Sequence, residues 1–277
     1  MGKRGKRRNS ILEDPSRLSD LLYHYTRRDT AIENILVSQQ FRLSPMGRTN
    51  DPLEFKDIRF ALIGSGLPDN RIDSKYLQTD LEINRLMKEQ TRIACFTADS
   101  DEIESARIDI LRRGFARSRM WSQYAEGHFG VCLVFSKKEL RQRISALKEN
   151  VEDRLFEGSV DYKDFSREAI NARTFNGDKL EKTSITEFIA GHLDEHYTAL
   201  FLEKAQDYRD ENEYRFVFFN SVPGFVYVPI DDCLKAVIVG VRFPEVYRDL
   251  IIEQSYRLHA EYRSLQWHNG RPYLSDR

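Results

Sequence analysis

Three apolar, aromatic runs follow one another near the C-terminal end of the chain: EYRFVFFN at 213–220, GFVYVP at 224–229 and LKAVIVGV at 234–241. Each has the β-branched and aromatic content of a strand. Parallel neighbours need a crossover of about a dozen residues or more, and the connections here are far shorter. The chain is therefore expected to build a mostly antiparallel sheet. The first run also carries an anomaly. Alternation along a strand sets Glu211, Glu213 and Arg215 on one face and Tyr214, Phe216 and Phe218 on the other. Two carboxylates side by side at the mouth of a buried strand mean either that this strand end is wet or that the carboxylates have a task.

The rest of the pattern alternates strands and helices. Strands are expected at 21–26, 41–44, 92–98, 129–136, 154–162 and near 264–267. Helices are expected at 29–40, 74–90, 137–149, 180–206 and 244–258, with one or two helical turns at 119–127 stopped by Gly127. No repeat and no linker interrupts the series. The expected fold is α+β: a single domain from residue 18 to 277, with a mostly antiparallel sheet, open to being split, flanked by helices. Residues 1–17 open on MGKRGKRRNS, with five basic residues in the first eight and nothing to bury. They are expected to be a disordered basic tail able to touch a polyanion.

Charge excludes more than it suggests. Forty-three basic residues face 44 acidic ones, so no global field points to nucleic acid or membrane. No apolar run approaches the roughly 20 residues of a membrane span, and no signal peptide opens the chain. The three cysteines are far apart inside apolar stretches and read as buried free thiols of a reducing compartment. The HLDEH sequence at 192–196 sets His192 and His196 one helical turn apart. It lacks the zincin glutamate position, and two polar residues on a wet helix face are expected there rather than a metal site. Neither a phosphate-binding glycine loop nor a nucleophile elbow is present. The stretch from Arg107 to Arg119 holds five arginines against one aspartate. It is either a solvated helix and loop or a site for phosphate, which arginine forks fit well.

The remaining clusters, in order, are LYHYT (22–26), FRLSPMGRTNDPLE (41–54), CFTADSD (95–101), MWSQYAEGHFGVCLVF (120–135) and KAQDYRDENEYRF (204–216). Their order and residue types resemble a bacterial family known as domain of unknown function 2971. The likeness runs over about residues 21–220. Tyr208 stands where that family commonly shows Trp, Thr97 replaces a usual Ser, and the arginine-rich stretch reads as an extension. The likeness implies a cytoplasmic protein linked to antiviral defence.

More distantly, the chain resembles ADP-ribosyltransferases, which place a His or Arg on an early strand, aromatic or hydroxyl residues in the middle and a Glu on a late strand. That resemblance implies an ADP-ribosyltransferase-like fold and NAD as substrate, with a protein or nucleic-acid acceptor. Glu213 would stabilise an oxocarbenium-like ribose, Glu211 would take the acceptor's proton, and His24 would hold the other ribose. The cofactor would lie against His24, Tyr25, Thr26, Arg42, Ser44, Asn50, Tyr124 and Arg215. His24, Asn50, Tyr124 and Glu213 should then line one cleft, at separations of about 7–12 Å. Two other readings stand beside this one. In the first, the protein is a nucleic-acid-binding protein or nuclease that uses the basic tail and the arginines. In the second it is a scaffold in which Arg215 simply neutralises Glu213.

Overall fold

The computed structural model describes residues 10–48, 60–63, 74–100, 103, 105, 108–163, 167–222 and 224–276. The N-terminal decapeptide apart from Ser10, Asn50 with its Asn-Asp-Pro loop, and Arg107 lie outside the described residues. In chain order the strands are β1 (Leu21–Thr26), β2 (Gln40–Pro45), β3 (Ala61–Ile63), β4 (Thr91–Ala98), β5 (Val131–Ser136), β6 (Arg154–Ser159) and β7 (Asp161–Tyr162). They continue with β8 (Thr174–Asn176), β9 (Glu203–Lys204), β10 (Glu213–Phe219), β11 (Val226–Pro229), β12 (Leu234–Val239), β13 (Glu261–His268) and β14 (Arg271–Ser275). The α-helices are α1 (Ser74–Gln90), α2 (Ser118–Gln123), α3 (Lys137–Ser145), α4 (Arg167–Ala172), α5 (Ile185–Phe201) and α6 (Arg248–Arg257). Residues 30–36 form a helix of π type, begun at Asp29, whose carboxylate accepts from the Thr30 N–H.

One large sheet organises the molecule, in the order β11-β2-β4-β1-β5-β12-β13-β14, with β10 and then β6 branching from β4. Its pairs are antiparallel except β12 with β13. The fold is thus α+β with a mostly antiparallel open sheet flanked by helices. The reason is not the one the sequence suggests, because the three C-terminal runs do not pair with each other. β10 joins β4 and β6, β11 joins β2, and β12 joins β5 and β13.

The sheet forks on β4. Along one edge β4 pairs with β10 over its whole length, from Glu213↔Thr97 to Phe219↔Thr91. Along the other edge it pairs with β1 only at Ala98 and Thr97, and with β2 only at Ile93 and Arg92. Among the described residues, Ala94 to Phe96 have no strand partner on that edge. The fork also divides the packing. One face carries a single apolar core that runs from Phe41 and Leu43 through Phe96, Phe216 and Leu22 to Phe135 and Val237. The opposite face carries two cores. One lies under α1 and α5 on Ile93, Val217 and Phe219. The other lies under α2 on Tyr23, Tyr25, Cys132, Val134 and Ile238. Cys95, Thr97, Glu213 and Arg215 share the second face by register and separate its two cores.

Three further expectations are corrected. Residues 10–17, expected in the tail, are packed on the body. Ser10 and the Ile11 N–H both bond to the Glu261 carboxylate, and Leu12 is buried in the core under α2. The long helix ends at Phe201, and Glu203 and Lys204 leave it to form β9 beside β7. His192 is not on a wet face: its Nε2 lies 2.7 Å from the Ala172 carbonyl and its ring packs on Phe175. No group of three or more metal-ligating side chains occurs among the described residues. No described helix is long and apolar enough to cross a membrane.

Candidate functional site

The second face of the sheet concentrates charge where its two apolar cores part. Arg215 is fully buried and donates through Nε and Nη2 to the two oxygens of Glu213, both at 2.8 Å. Its third nitrogen donates to the Phe201 carbonyl. Lys204 donates to Glu211 at 2.8 Å and to Glu213 at 3.4 Å. The Tyr124 hydroxyl donates to the other oxygen of Glu211 at 2.9 Å. The result is a chain of five groups, Tyr124–Glu211–Lys204–Glu213–Arg215, with two cations matched by two carboxylates. All but Tyr124 are buried, and Tyr124 is 41% exposed. A buried charge is tolerated only when paired and hydrogen-bonded, which this arrangement provides.

Local structure explains the assembly. Glu211 is not on the strand. It ends a 3₁₀ helix over Gln206–Glu211, and Asn212, at φ 45°, turns the chain into β10. The Asn212 side chain fixes that turn by donating to the Ala98 and Asp99 carbonyls. Glu211 and Glu213 therefore meet the same lysine through a left-handed turn and not through strand alternation. Lys204 reaches them because β9 pulls it off the end of α5, and its Nζ also lies 4.4 Å over the Tyr208 ring. Sequence reasoning missed Lys204 because the helical pattern continues through it; no local signal marks the break.

Burial alone would push the Glu213 carboxyl up, but Arg215, with help from Lys204 and Cys95, outweighs it and holds the pKa at about 2. Burial first, then the Glu211 charge, pushes the Tyr124 hydroxyl above its ordinary range, so it stays protonated and donates. Two buried polar atoms at this place have no hydrogen-bond partner among the described residues: the Thr97 hydroxyl, beside Glu213 in register, and Arg117 Nε.

The remaining expected residues that are described do not join this group. His24 stands on the opposite face, with its ring 4.8 Å from Phe41 and 5.7 Å from Phe96. Tyr23, its neighbour, is the residue in register with Thr97 and Glu213. His24 Nδ1 lies 3.1 Å from the Cys95 carbonyl, the group left bare by the fork. A carbonyl only accepts, so Nδ1 carries the proton. Tyr25 is buried under Trp121 with its hydroxyl on the Gly114 carbonyl, and Thr26 is buried beside Val131. Arg42 stacks on Phe225 at the far edge of the sheet, and Ser44 is paired with Ile93. Of the expected site residues that are described, Tyr124, Glu211, Glu213 and Arg215 come together. The arginine stretch is an internal brace. Arg113 is buried, bonded to Asp99, the Leu12 carbonyl and the Tyr23 hydroxyl. Arg117 and Arg119 hold the Asp210 and Asp207 carbonyls, and so dock α2 on the 3₁₀ helix that carries Glu211. Arg112 is exposed.

Residues 120–216 match the model of the family described as "Protein of unknown function (DUF2971)". The match spans roughly a third of the chain and contains every member of the five-group chain, from Tyr124 to Arg215; His24 lies outside it. No curated protein and no solved structure matches the sequence.

Proposed function

We propose that this protein is an ADP-ribosyltransferase-like enzyme that consumes NAD, with Glu211 rather than Glu213 as the carboxylate turned toward the substrate. The observation that carries the reading is the Tyr124–Glu211 hydrogen bond. Both oxygens of Glu213 are held by Arg215, leaving little to offer a ligand. Glu211 accepts from Lys204 on one oxygen and from the Tyr124 hydroxyl on the other, and Tyr124 is the one member of the group that reaches the surface. A carboxylate behind a tyrosine that reaches the surface is suited to a positive charge that develops on a sugar. The unpartnered Thr97 hydroxyl and Arg117 Nε–H add two donors of the kind that ribose and phosphate oxygens satisfy.

In the proposed reaction the C1′–N bond between ribose and nicotinamide breaks, and nicotinamide leaves as a neutral ring with the bonding pair. The acceptor's nucleophile bonds C1′ and its proton passes to solvent. Glu211 stabilises the ribosyl cation between these events. His24 has no part on the ribose in this scheme; it seals the fork.

The test is nicotinamide release from NAD, followed with and without a cell lysate as acceptor source. Wild type should release nicotinamide, and Glu211→Gln should slow release by about a hundredfold to a thousandfold, the loss typical of a preorganised electrostatic group. Full activity in Glu211→Gln, or no NAD consumption by wild type, would overturn the reading.

A further inference from the structure

A cavity of about 300 Å³ opens on the other side of the sheet from the carboxylates, between the N-terminal segment and the ends of β4, β6 and β10. Its apolar wall is made by Leu18, Leu22 and Tyr214, and Ser19 and Ser159 stand at its rim. Lys137 projects into it, with Nζ 5.2 Å over the centre of the Tyr214 ring. Arg141 and Glu157, which pair with each other, stand near the Tyr214 hydroxyl.

The charge balance of the cavity is uneven. Among the described residues no carboxylate lies within ion-pair distance of Lys137. Asp99 lines the same space, but its oxygens accept from Arg113 at 3.0 Å, from Tyr23 and from the Gly114 N–H at 2.6 Å. Asp20, near the start of α3, is likewise taken by Ser136 and the Lys138 N–H. One cation and two rim hydroxyls therefore face an apolar wall, with no anion among the described residues left to meet them. The volume sits at the lower end of small-ligand pockets, about 300–1,000 Å³.

We infer that this cavity binds a small organic anion, whose acidic group meets Lys137 and the serine hydroxyls while its apolar body lies on Tyr214 and Leu22. The site is separate from the proposed catalytic one: Tyr214 faces the cavity, while Glu213 and Arg215 face the other side of β10.

The experiment titrates the full chain with sodium benzoate and with phenyl phosphate, against neutral benzamide, by ligand-observed NMR. The variants are Lys137→Met, which keeps the stem over Tyr214, and Ser159→Trp, which obstructs the rim; circular dichroism checks that both fold. At least one anion should bind wild type with Kd below about 1 mM and benzamide about tenfold more weakly. Which of the two anions binds says whether the acidic group is a carboxylate or a phosphate. Binding should fall at least about tenfold in Lys137→Met and in Ser159→Trp. Absence of saturable binding by both anions, or undiminished binding in folded Lys137→Met, overturns the inference.

Discussion

Replacing Glu213 by Gln would take from the buried Arg215 guanidinium the carboxylate to which both Nε and Nη2 donate, while Lys204 still has Glu211. Breaking a buried pair by removing one member costs about 3–5 kcal/mol. In a chain of this length that is a fall in Tm of about 5–15 °C, measurable by calorimetry. The pH dependence has a definite sign. The carboxyl titrates at about 2 in the fold and near its ordinary 4.5 when unfolded, so its stabilisation is present above 4.5 and disappears as pH falls toward 2. Acid titration of Glu213→Gln should lack that part of the stability loss. His24 gives a second signal at higher pH. Burial holds its pKa below the ordinary 6.5, with the Cys95 carbonyl opposing. A histidine kept neutral in the fold stabilises above its unfolded pKa and loses that contribution as pH falls through 6.5 and below. His24→Phe should flatten the stability profile there, read by urea melts at pH 7.5 and 5.5.

At the scale of elements, the apolar runs that form the large sheet are legible because β-branched and aromatic side chains fill both faces of buried strands. What periodicity does not carry is which strand sits beside which, and so the C-terminal runs suggested neighbours that the fold separates. β14 was legible in principle. Asn269-Gly270 joins it to β13 with both residues at positive φ, 49° and 75°, the standard two-residue hairpin signal. The way out of α2 was legible only in part. Helix α2 ends at Gln123, short of the expected stop at Gly127, which lies inside a 3₁₀ turn over Glu126–His128; Glu126, Gly127 and His128 all take positive φ, which places the His128 carbonyl against Gly240. A Cβ on Gly240 would lie 2.2 Å from that oxygen, and one on Gly130 2.3 Å from the Thr26 carbonyl. Both contacts are with backbone that cannot give way. Gly240→Ala and Gly130→Ala should each cost more than about 3 kcal/mol, or prevent folding, as read by expression and thermal melts. Ser159→Ala, on an exposed strand end, is the neutral control.

Across the whole molecule, the site owes its existence to long-range placement. Tyr124 caps the C-terminal end of α2, Lys204 comes from β9, Glu211 from a 3₁₀ turn and Glu213 with Arg215 from β10. The sequence placed the two glutamates, Arg215 and Tyr124 among the candidates because their residue types stood out. It could not show that His24 falls on the other face, since a one-residue offset on a neighbouring strand reverses the side. The central claim is a division of labour, with Glu213 holding the fold and Glu211 meeting the substrate. Its most direct test is one paired measurement of nicotinamide release and Tm on Glu211→Gln and on the double variant Glu213→Leu/Arg215→Met, in which the buried pair is removed together and folding is preserved. The double variant should retain NAD turnover within about tenfold of wild type, whereas Glu211→Gln should lose about a hundredfold or more. Loss of turnover in the double variant with Glu211→Gln still active would contradict the account.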